Sequence, residues 1–262
     1  MLLILSANGY FTSFPLIEIE FMSSAEYYDN FIAYQMQTGI NDRIFGLYKR
    51  VCDLGIFSQS NILEIGCGIG SLTYLLSQKV KKGKIEAVDI SPKSIEFAKK
   101  HLKRKNILFT SSDILDFEPE NSIFDKILLF DVLEHIPEDD HVAVFDRVGK
   151  WMDQDSRLLI NLPNPDYILF DRKNNPDALQ EIDNPVFLNK LSNDLDIASL
   201  YIEYFETYSV WVKNDYQYLI IRKKTSFVKQ QLNQDLNLLK KIFTRLRREI
   251  RKLIYNYPKK IK

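Results

Sequence analysis

Short apolar runs alternate with longer amphipathic segments through the middle of the chain. Runs that are short enough for buried parallel strands occur at Asn61–Ile65, Ile85–Asp89, Ile107–Thr110, Asp125–Phe130 and Leu158–Leu162. Segments with helical spacing of their apolar residues separate them, at about 71–80, 92–104 and 139–152. Repeated strand, helix and strand predict βαβ units, and therefore a parallel sheet that carries helices on both faces.

Two further helices are predicted before the first strand. Ser23 and Glu26 have the spacing of a capping box, which predicts a helix from about Ser24 to Gln37. A second helix is predicted from about Asn41 to Leu54, because Gly55 is a typical residue at a helix C-terminus.

The pattern changes after the fifth strand. Residues from Pro163 to about Asn193 are rich in Pro, Asn and Asp and have no strong period, which predicts an irregular lid or substrate-binding insertion over 163–193. The runs Tyr201–Val212 and Tyr216–Arg222, separated by Asn214-Asp215, then predict an antiparallel hairpin.

Composition adds limits to this picture. The 262 residues, 45% of them hydrophobic, are enough for one α/β domain with appendages. The two cysteines have no Cys/His spacing that would suggest a metal site, and they favour a reducing, cytoplasmic compartment. No stretch reaches the roughly 20 apolar residues of a membrane span. Residues 1–23 are a poor signal peptide and are interpreted as an N-terminal extension, or as an extra edge strand.

Charge is distributed unevenly along the chain. The formal net charge is zero, yet Thr225–Lys262 contains eleven Lys or Arg residues against Asp235 and Glu249. Apolar residues with heptad spacing accompany them, at Leu232, Leu236, Leu239, Phe243, Leu246, Ile250 and Leu253. This basic amphipathic tail, residues 224–262, is predicted to pack or self-associate as a helix, or to lie on an anionic membrane such as the inner membrane surface. Nucleic acid is the least favoured partner, because the rest of the chain is acidic.

Candidate chemistry begins at the end of the first predicted strand, in the sequence ILEIGCGIG over 62–70. Glycines there let the backbone approach a ligand, and the following helix N-terminus offers N–H donors. Such loops are shared among nucleotide-binding folds, but Ser71 breaks the dehydrogenase spacing G-x-G-x-x-G. About 20 residues later, Asp89 closes the second strand, where a carboxylate can accept hydrogen bonds from both ribose hydroxyls.

Two more features follow the third and fourth strands, namely Asp113 in SSDILDF and the sequence FDVLEHIP over 130–137. In this order they resemble the class I S-adenosylmethionine-dependent methyltransferases. The resemblance covers about residues 24–223, the expected methyltransferase domain, and is sharpest over 62–137. It implies a Rossmann-like fold with seven mostly parallel strands, helices on both faces and a terminal antiparallel hairpin.

The resemblance also implies a cofactor, S-adenosyl-L-methionine, and its contacts. Asp113 would face the adenine amino group, Ile114 would lie against the ring, and Asp131 would lie near the methionyl side. Asp113 also suits a simple Asx turn. The cofactor residues implied in this way are Glu64, Gly66, Cys67, Gly68, Gly70, Asp89, Ile90, Asp113, Ile114 and Asp131.

The expected reaction is methyl transfer to an O or N atom of a small-molecule, glycan or lipid-linked acceptor. His135 is the candidate general base, with a packing role as the alternative, whereas His101 and His141 are predicted to be solvated. The N-P-P-aromatic and Pro-Cys signatures of nucleic-acid enzymes do not follow the fourth strand. Two other functions stay open: a degenerate cofactor-binding scaffold that acts through its tail, and an NAD-linked oxidoreductase.

Overall fold

The computed structural model describes residues 32–175, 183–226 and 238–255. The predicted extension over 1–23 and its capping box lie outside these residues. The described chain forms two compact units, one that ends at Lys224 and one that begins at Thr225. Each unit is described by itself below.

The first unit is built on one seven-stranded sheet with the strand order β3-β2-β1-β4-β5-β7-β6. Strands β1 to β5 are parallel, and β7 pairs antiparallel with both β5 and β6. The strands are β1 Ile62–Ile65, β2 Ile85–Asp89, β3 Ile107–Ser111, β4 Lys126–Phe130, β5 Arg157–Pro163, β6 Leu200–Tyr208 and β7 Tyr216–Lys223. The predicted parallel sheet and its antiparallel end are confirmed.

Helices cover both faces of this sheet. The helices of the first unit are α1 Ile32–Thr38, α2 Asp42–Asp53, α3 Ser71–Lys79, α4 Pro92–His101, α5 His141–Lys150, α6 Pro165–Asn174 and α7 Leu188–Ile197. Apolar residues of α2 and α3 pack with Ile62 and Ile85 on one face, and those of α5 and α7 pack with Leu63 and Ile65 on the other. Successive residues of β1 alternate between the two cores, as expected for a strand buried on both sides.

The ends of two predicted helices are where the sequence places them. Asn41 is the N-cap of α2, and its side chain accepts a hydrogen bond from the Ile44 N–H. Gly55 follows the end of α2 with a φ of +79°, a left-handed conformation that glycine adopts at low cost. Ser91 caps α4 in the same way as Asn41 caps α2.

The first strand of the terminal hairpin is shorter than its sequence predicts. It ends at Tyr208 rather than Val212. The Asp215 carboxylate accepts hydrogen bonds from the N–H groups of Val210, Trp211 and Val212, and this turns the chain before β7. The apolar residues 210–212 therefore belong to a turn organised by one buried aspartate.

The prediction of an irregular segment over 163–193 is wrong for most of its described part, because α6 and the beginning of α7 lie within it. Asn164 caps α6 by accepting a hydrogen bond from the Asp166 N–H, and Pro165 takes the first helical position. The helical period of α6 is weak because only Pro165, Ile168 and Asp171 are buried. Whether this segment covers a substrate stays a prediction.

In the second unit the structure describes a helix, α8, over Leu238–Tyr255. Leu232 and Leu236 of the predicted heptad lie outside the described residues. No helix in the described ranges is long and apolar enough to cross a membrane.

Candidate functional site

The carboxyl ends of the parallel strands meet at one edge of the sheet, and the predicted site residues follow them there. The strand order turns between β1 and β4, and open α/β sheets bind ligands at such a turning point. The glycine loop over 66–70 follows β1, Asp89 ends β2, Asp113 follows β3 and Asp131 follows β4. The candidate site is therefore one crevice, built from four strand ends.

The glycine loop is held in a tight conformation. Gly66, Gly68 and Gly70 have φ values of +77°, +52° and +84°. The N–H groups of Gly66 and Cys67 both donate to the Val88 carbonyl on β2. The loop's own hydrogen bonds therefore fix its shape against β2, and side chains pack so closely on it that a Cβ atom would meet Val132 at position 66 and Gln35 at position 68.

Asp89 connects this loop to the beginning of α4. Its Oδ2 accepts a hydrogen bond from the Gly68 N–H at 2.7 Å, and its Oδ1 accepts one from the Ser91 N–H at 2.9 Å. Because Ser91 caps α4, Asp89 is not the cap of that helix. Its side chain is partly exposed beside the loop, where the predicted ribose contact requires it.

Glu64 is buried between the sheet and α3. Its Oε2 accepts a hydrogen bond from the Thr73 hydroxyl at 2.6 Å. Burial raises the pKa of this carboxyl to about 8, with a smaller contribution from Asp89, and outweighs the opposing effect of the Thr73 bond. The side chain is therefore neutral at pH 7 in this structure, and its predicted cofactor role is not tested by it.

The raised pKa of Glu64 predicts how stability depends on pH. The unfolded chain ionises above about pH 4.5, whereas the folded chain keeps the Glu64 proton up to about pH 8. Between these pH values unfolding releases a proton from Glu64. The free energy of unfolding therefore falls as the pH rises, by up to about 1.4 kcal/mol per pH unit. We expect Glu64→Gln to flatten the fall of the free energy of unfolding, measured in urea from pH 5 to pH 8. The exposed Glu96→Gln is the control, and parallel profiles for wild type and Glu64→Gln would contradict the assignment.

Asp113 and Ile114 lie at the end of β3 in different environments. The Asp113 side chain is exposed, and its Oδ1 accepts a hydrogen bond from the Leu115 N–H at 2.8 Å, which forms an Asx turn. Ile114 is buried against the core of the α5 face. This geometry is compatible with a purely structural Asx turn and also with a contact from Asp113 to adenine. The adenine contact therefore stays a prediction. Ile90, which follows β2, is partly buried.

Asp131 is the centre of a polar network at the ends of β4 and β5. Its φ of +55° is unusual for a residue other than glycine, and such backbone strain is often found at functional sites. Asn161 Nδ2 donates to Asp131 Oδ1 at 2.9 Å, and the Tyr208 hydroxyl donates to Asn161 Oδ1 at 2.7 Å. Arg43 of α2 forms an ion pair with the other carboxylate oxygen.

The network includes residues that the sequence did not indicate. Arg43 also lies 3.4 Å from the Tyr216 hydroxyl, as measured from its Nη1. Burial by itself would lower the pKa of Arg43, but Asp131, Tyr216 and Glu134 more than offset this, so the pKa is raised and the guanidinium stays charged. Burial, followed by the nearby Asp131, raises the pKa of both Tyr208 and Tyr216. Neither tyrosine is suited to act as a base.

Glu134 and His135 occupy a short helical turn after β4. Glu134 is buried, and burial followed by the charge of Asp131 raises the pKa of its carboxyl well above the ordinary value. His135 Nδ1 lies 3.3 Å from Asp183 Oδ1, and its Nε2 lies 3.9 Å from Glu134 Oε1. The Asn184 N–H donates to the Glu134 carbonyl, which holds the segment after residue 182 against this turn. Asp183 is therefore a partner of His135 that no sequence motif indicated.

The prediction that His141 is solvated is wrong. Its side chain is buried, and its Nε2 lies 3.2 Å from the carbonyl oxygens of both Leu133 and Ile136. Burial lowers its pKa, so a neutral ring donates its Nε2–H to the turn that carries Glu134 and His135. His101 is exposed, as predicted, and stacks on Phe97.

The two cysteines are free, and Cys67 is buried with Ile95 and Phe109 beneath the glycine loop. Burial raises the pKa of the Cys67 thiol, so this residue is suited to packing rather than to nucleophilic chemistry. Within the described part of the chain, no group of three or more His, Cys, Asp or Glu side chains could hold a metal ion.

Comparison with known proteins identifies the class of domain. Residues 62–155 match a family model described as a methyltransferase domain. A malonyl-[acyl-carrier protein] O-methyltransferase from Ilyobacter polytropus is 29% identical over 139 residues, which are 53% of this chain and 48% of that protein. A phosphoethanolamine N-methyltransferase from Plasmodium falciparum is 28% identical over 135 residues, 51% of this chain and 48% of the relative. The chain thus spans about half the length, or less, of the curated relatives it matches.

A solved structure agrees with this match. Magnesium protoporphyrin IX methyltransferase from Synechocystis PCC 6803, with bound S-adenosylhomocysteine, superposes with a TM-score of 0.60 over 76% of this chain and 97% of that one. The two chains are 18% identical, so the likeness concerns the fold. The seven-stranded sheet with its antiparallel end is that of this methyltransferase fold. The chain therefore has the fold of the class I S-adenosylmethionine-dependent methyltransferases, and residues 62–155 match a methyltransferase domain.

Proposed function

We propose that this chain transfers a methyl group from S-adenosylmethionine to an oxygen or nitrogen atom of a small-molecule, glycan or lipid-linked acceptor. The observation that carries the proposal is the crevice at the β1–β4 turning point, where the glycine loop and Asp89 lie on one side and the Asp131 network on the other. The two kinds of acceptor atom occur among relatives, whose names specify an O-methyltransferase and N-methyltransferases.

The residues of the crevice fit this cofactor. In the proposed complex the Asp89 carboxylate accepts hydrogen bonds from the ribose hydroxyls, and the methionyl group lies beside the backbone of Gly66 and Gly68. Asp113 accepts from the adenine amino group, and Ile114 contributes apolar surface under the ring. Asp131 supplies the negative charge that suits a ligand with an ammonium and a sulfonium.

Acceptor chemistry is assigned to the turn after β4. When bound, S-adenosylmethionine would supply a methyl group whose carbon bonds to an acceptor atom placed in line at about 3 Å, while the carbon–sulfur bond breaks and S-adenosylhomocysteine leaves. A hydroxyl acceptor must also lose a proton. Burial raises the pKa values of the Tyr208 and Tyr216 hydroxyls, so both keep their protons at pH 7, and it also raises the pKa of the buried Glu134 carboxyl. This supports His135 as the base, with Asp183 orienting its ring through Nδ1.

A substitution at His135 tests the base. We expect His135→Ala to lower kcat by about 100-fold or more with a hydroxyl acceptor, because general-base catalysis contributes a factor of that order. The affinity for S-adenosylhomocysteine is expected to change less than threefold, roughly within 0.7 kcal/mol. Turnover is measured at saturating cofactor with labelled methyl groups.

Matched variants complete this test. Asp183→Asn keeps the size of the side chain and is expected to lower kcat by about 10-fold, since it weakens the orientation of the His135 ring. His101→Ala, an exposed histidine on α4, is the control and should leave turnover unchanged. Near-normal turnover of His135→Ala would remove the base role and leave His135 as a packing residue.

We further propose that the tail binds an anionic membrane surface. One helix, α8, presents exposed apolar side chains at Ile242, Phe243, Leu246, Ile250 and Ile254. The helix contains one acidic residue, Glu249, and seven basic residues. The basic residues are Lys240, Lys241, Arg245, Arg247, Arg248, Arg251 and Lys252. An apolar stripe with basic flanks is typical of helices that lie in the interface of anionic membranes. Such binding would place the enzyme at the inner membrane surface, near a lipid-linked acceptor.

Liposome flotation tests the tail. We expect the full chain to float with vesicles that contain about 30% anionic lipid and to stay behind with neutral vesicles, because each basic residue near the surface contributes about 1 kcal/mol. Removing residues 225–262 should abolish flotation. Phe243→Ser is expected to weaken it, whereas Phe57→Ser, which alters an equally exposed phenylalanine of the first unit, should not. Equal flotation with and without the tail would reject the proposal in favour of packing or self-association.

Binding measurements separate the proposed function from its alternatives. Isothermal titration of the full chain with S-adenosylmethionine and S-adenosylhomocysteine should give dissociation constants on the order of micromolar. No heat is expected with NAD, which tests the oxidoreductase alternative. Cofactor binding without turnover on any acceptor would favour the scaffold alternative. Failure to bind either sulfur nucleotide would contradict the proposed function.

A further inference from the structure

One residue outside the predicted set lies directly over the glycine loop. Gln35 belongs to α1, and its amide group occupies the space into which a side chain at position 68 would project. A Cβ atom placed on Gly68 would lie 2.8 Å from Gln35 Nε2 and 3.0 Å from its Oε1. Position 68 therefore needs glycine for two reasons, its φ of +52° and the close approach of Gln35.

The Gln35 amide is incompletely satisfied where it lies. Its Oε1 is buried and has no hydrogen-bond partner. Leaving a buried amide oxygen without a donor has a substantial free-energy cost, and native structures rarely contain such an atom without a functional reason. The Gly68 N–H already donates to Asp89. A bound ligand that carries an N–H group would supply the missing donor.

We propose that Gln35 is a cofactor-binding residue whose Oε1 accepts a hydrogen bond from the methionyl ammonium of S-adenosylmethionine. The inference rests on the proposed function, which puts the methionyl group beside Gly66 and Gly68. An ammonium carries three N–H donors and no acceptor, so it satisfies an orphaned amide oxygen and forms a charge-assisted bond.

The assignment gives α1 a part in binding that its sequence did not indicate. Its C-terminal end is fixed by the hydrogen bond from the Gly39 N–H to the Gln35 carbonyl, with Gly39 at a φ of +55°. This turn leads directly to Asn41, the cap of α2, which carries Arg43 and its ion pair with Asp131. Two helices that precede the matched residues thus each supply one side chain to the crevice. Gln35 of α1 lies on the side of the glycine loop, and Arg43 of α2 lies on the side of Asp131.

The test compares ligands that differ only in the amino-acid part. Wild type and Gln35→Leu, as full chains, are titrated calorimetrically with S-adenosylhomocysteine and with 5′-methylthioadenosine, which lacks the ammonium and carboxylate. We expect Gln35→Leu to weaken S-adenosylhomocysteine binding by about 10- to 100-fold, the range for a hydrogen bond to a charged group. Binding of 5′-methylthioadenosine should change less than about twofold.

Two further variants keep this result interpretable. Gln37→Leu makes the same change on an exposed position of α1 and should leave both affinities unchanged. Gln35→Glu keeps an acceptor oxygen and is expected to bind S-adenosylhomocysteine at least as tightly as wild type. Without ligand, the Tm of Gln35→Leu should not fall below that of wild type, because the substitution removes an unsatisfied buried atom.

Three outcomes would overturn the inference. Equal affinity of Gln35→Leu and wild type for S-adenosylhomocysteine would show that Gln35 does not contact the cofactor, while the proposed function would stand. An equal loss for both ligands would assign the contact to the nucleoside rather than to the ammonium. Absence of binding by wild type would remove the proposed function together with this contact.

Discussion

Gly66→Val is expected to lower the affinity for S-adenosylhomocysteine by at least about 100-fold, roughly 3 kcal/mol. Gly66 has a φ of +77°, which a β-branched residue adopts only with strain, and its backbone lies against the turn after β4. A Cβ atom at this position would lie 2.2 Å from Val132 Cγ2. Gly66 follows β1 and Val132 follows β4, so the two strand ends must move apart to relieve this clash. That movement would widen or distort the crevice. The measurement is isothermal titration of the folded variant.

Two other glycine substitutions serve as comparisons for Gly66→Val. Gly46 lies inside α2 with nothing within 4 Å of an added Cβ atom, so Gly46→Ala should preserve binding and stabilise the fold by about 0.5–1 kcal/mol. The double variant Gly66→Ala with Val132→Ala removes most of the steric clash but keeps the φ strain. It should therefore recover part of the affinity. Wild-type affinity in Gly66→Val would mean that the crevice is not where the cofactor binds.

Asp89→Ala is expected to weaken binding of S-adenosylhomocysteine by about 100- to 1000-fold, roughly 3–4 kcal/mol. The substitution removes the proposed acceptor for the ribose hydroxyls, and hydrogen bonds to a charged group contribute about 1.5–3 kcal/mol each. It also removes the bonds that Asp89 accepts from Gly68 and Ser91, which hold the loop and the beginning of α4. We expect the loss of binding free energy for S-adenosylhomocysteine to be larger than the loss in the free energy of unfolding.

Asp89→Asn separates the two contributions. It keeps one acceptor oxygen but loses the charge, so an affinity between those of wild type and Asp89→Ala is expected. Glu96→Ala, an exposed carboxylate on α4, is the control for a general change of charge. Urea titration gives the free energy of unfolding of each variant, so that a loss of affinity can be distinguished from a loss of folded protein. If 5′-methylthioadenosine bound Asp89→Ala as tightly as wild type, the ribose contact would be wrong.

The arrangement of strands and helices was largely predictable from the sequence, because hydrophobic period and caps are local signals. The strand β2 has the predicted bounds, and Asn41, Gly55 and Ser91 mark helix ends as expected. Prediction was wrong where one side chain reorganised the local backbone. Asp215 turns the chain at residues 210–212, and Asn164 begins a helix in a segment without a clear period.

The individual environments of the site residues were less predictable. The same motif that contains Gly66 and Gly68 also contains Glu64, whose side chain points into the core because successive strand residues alternate between faces. The turn after β4 holds Glu134 in a buried position, whereas the predicted base, His135, is paired with Asp183. His141 is buried because two carbonyl oxygens of that turn accept its hydrogen bond.

The sequence by itself indicated the resemblance to one family, the sheet with its antiparallel end, and the strand ends at which a nucleoside cofactor is proposed to bind. These follow from residues that are close along the chain, since a glycine loop and the strand before it form one local unit. Only the tertiary structure brought Gln35 over Gly68, Arg43 to Asp131 and Asp183 to His135. These partners come from helices and segments far apart in sequence, and their meeting depends on how α1, α2 and residues 183–187 pack against the sheet edge.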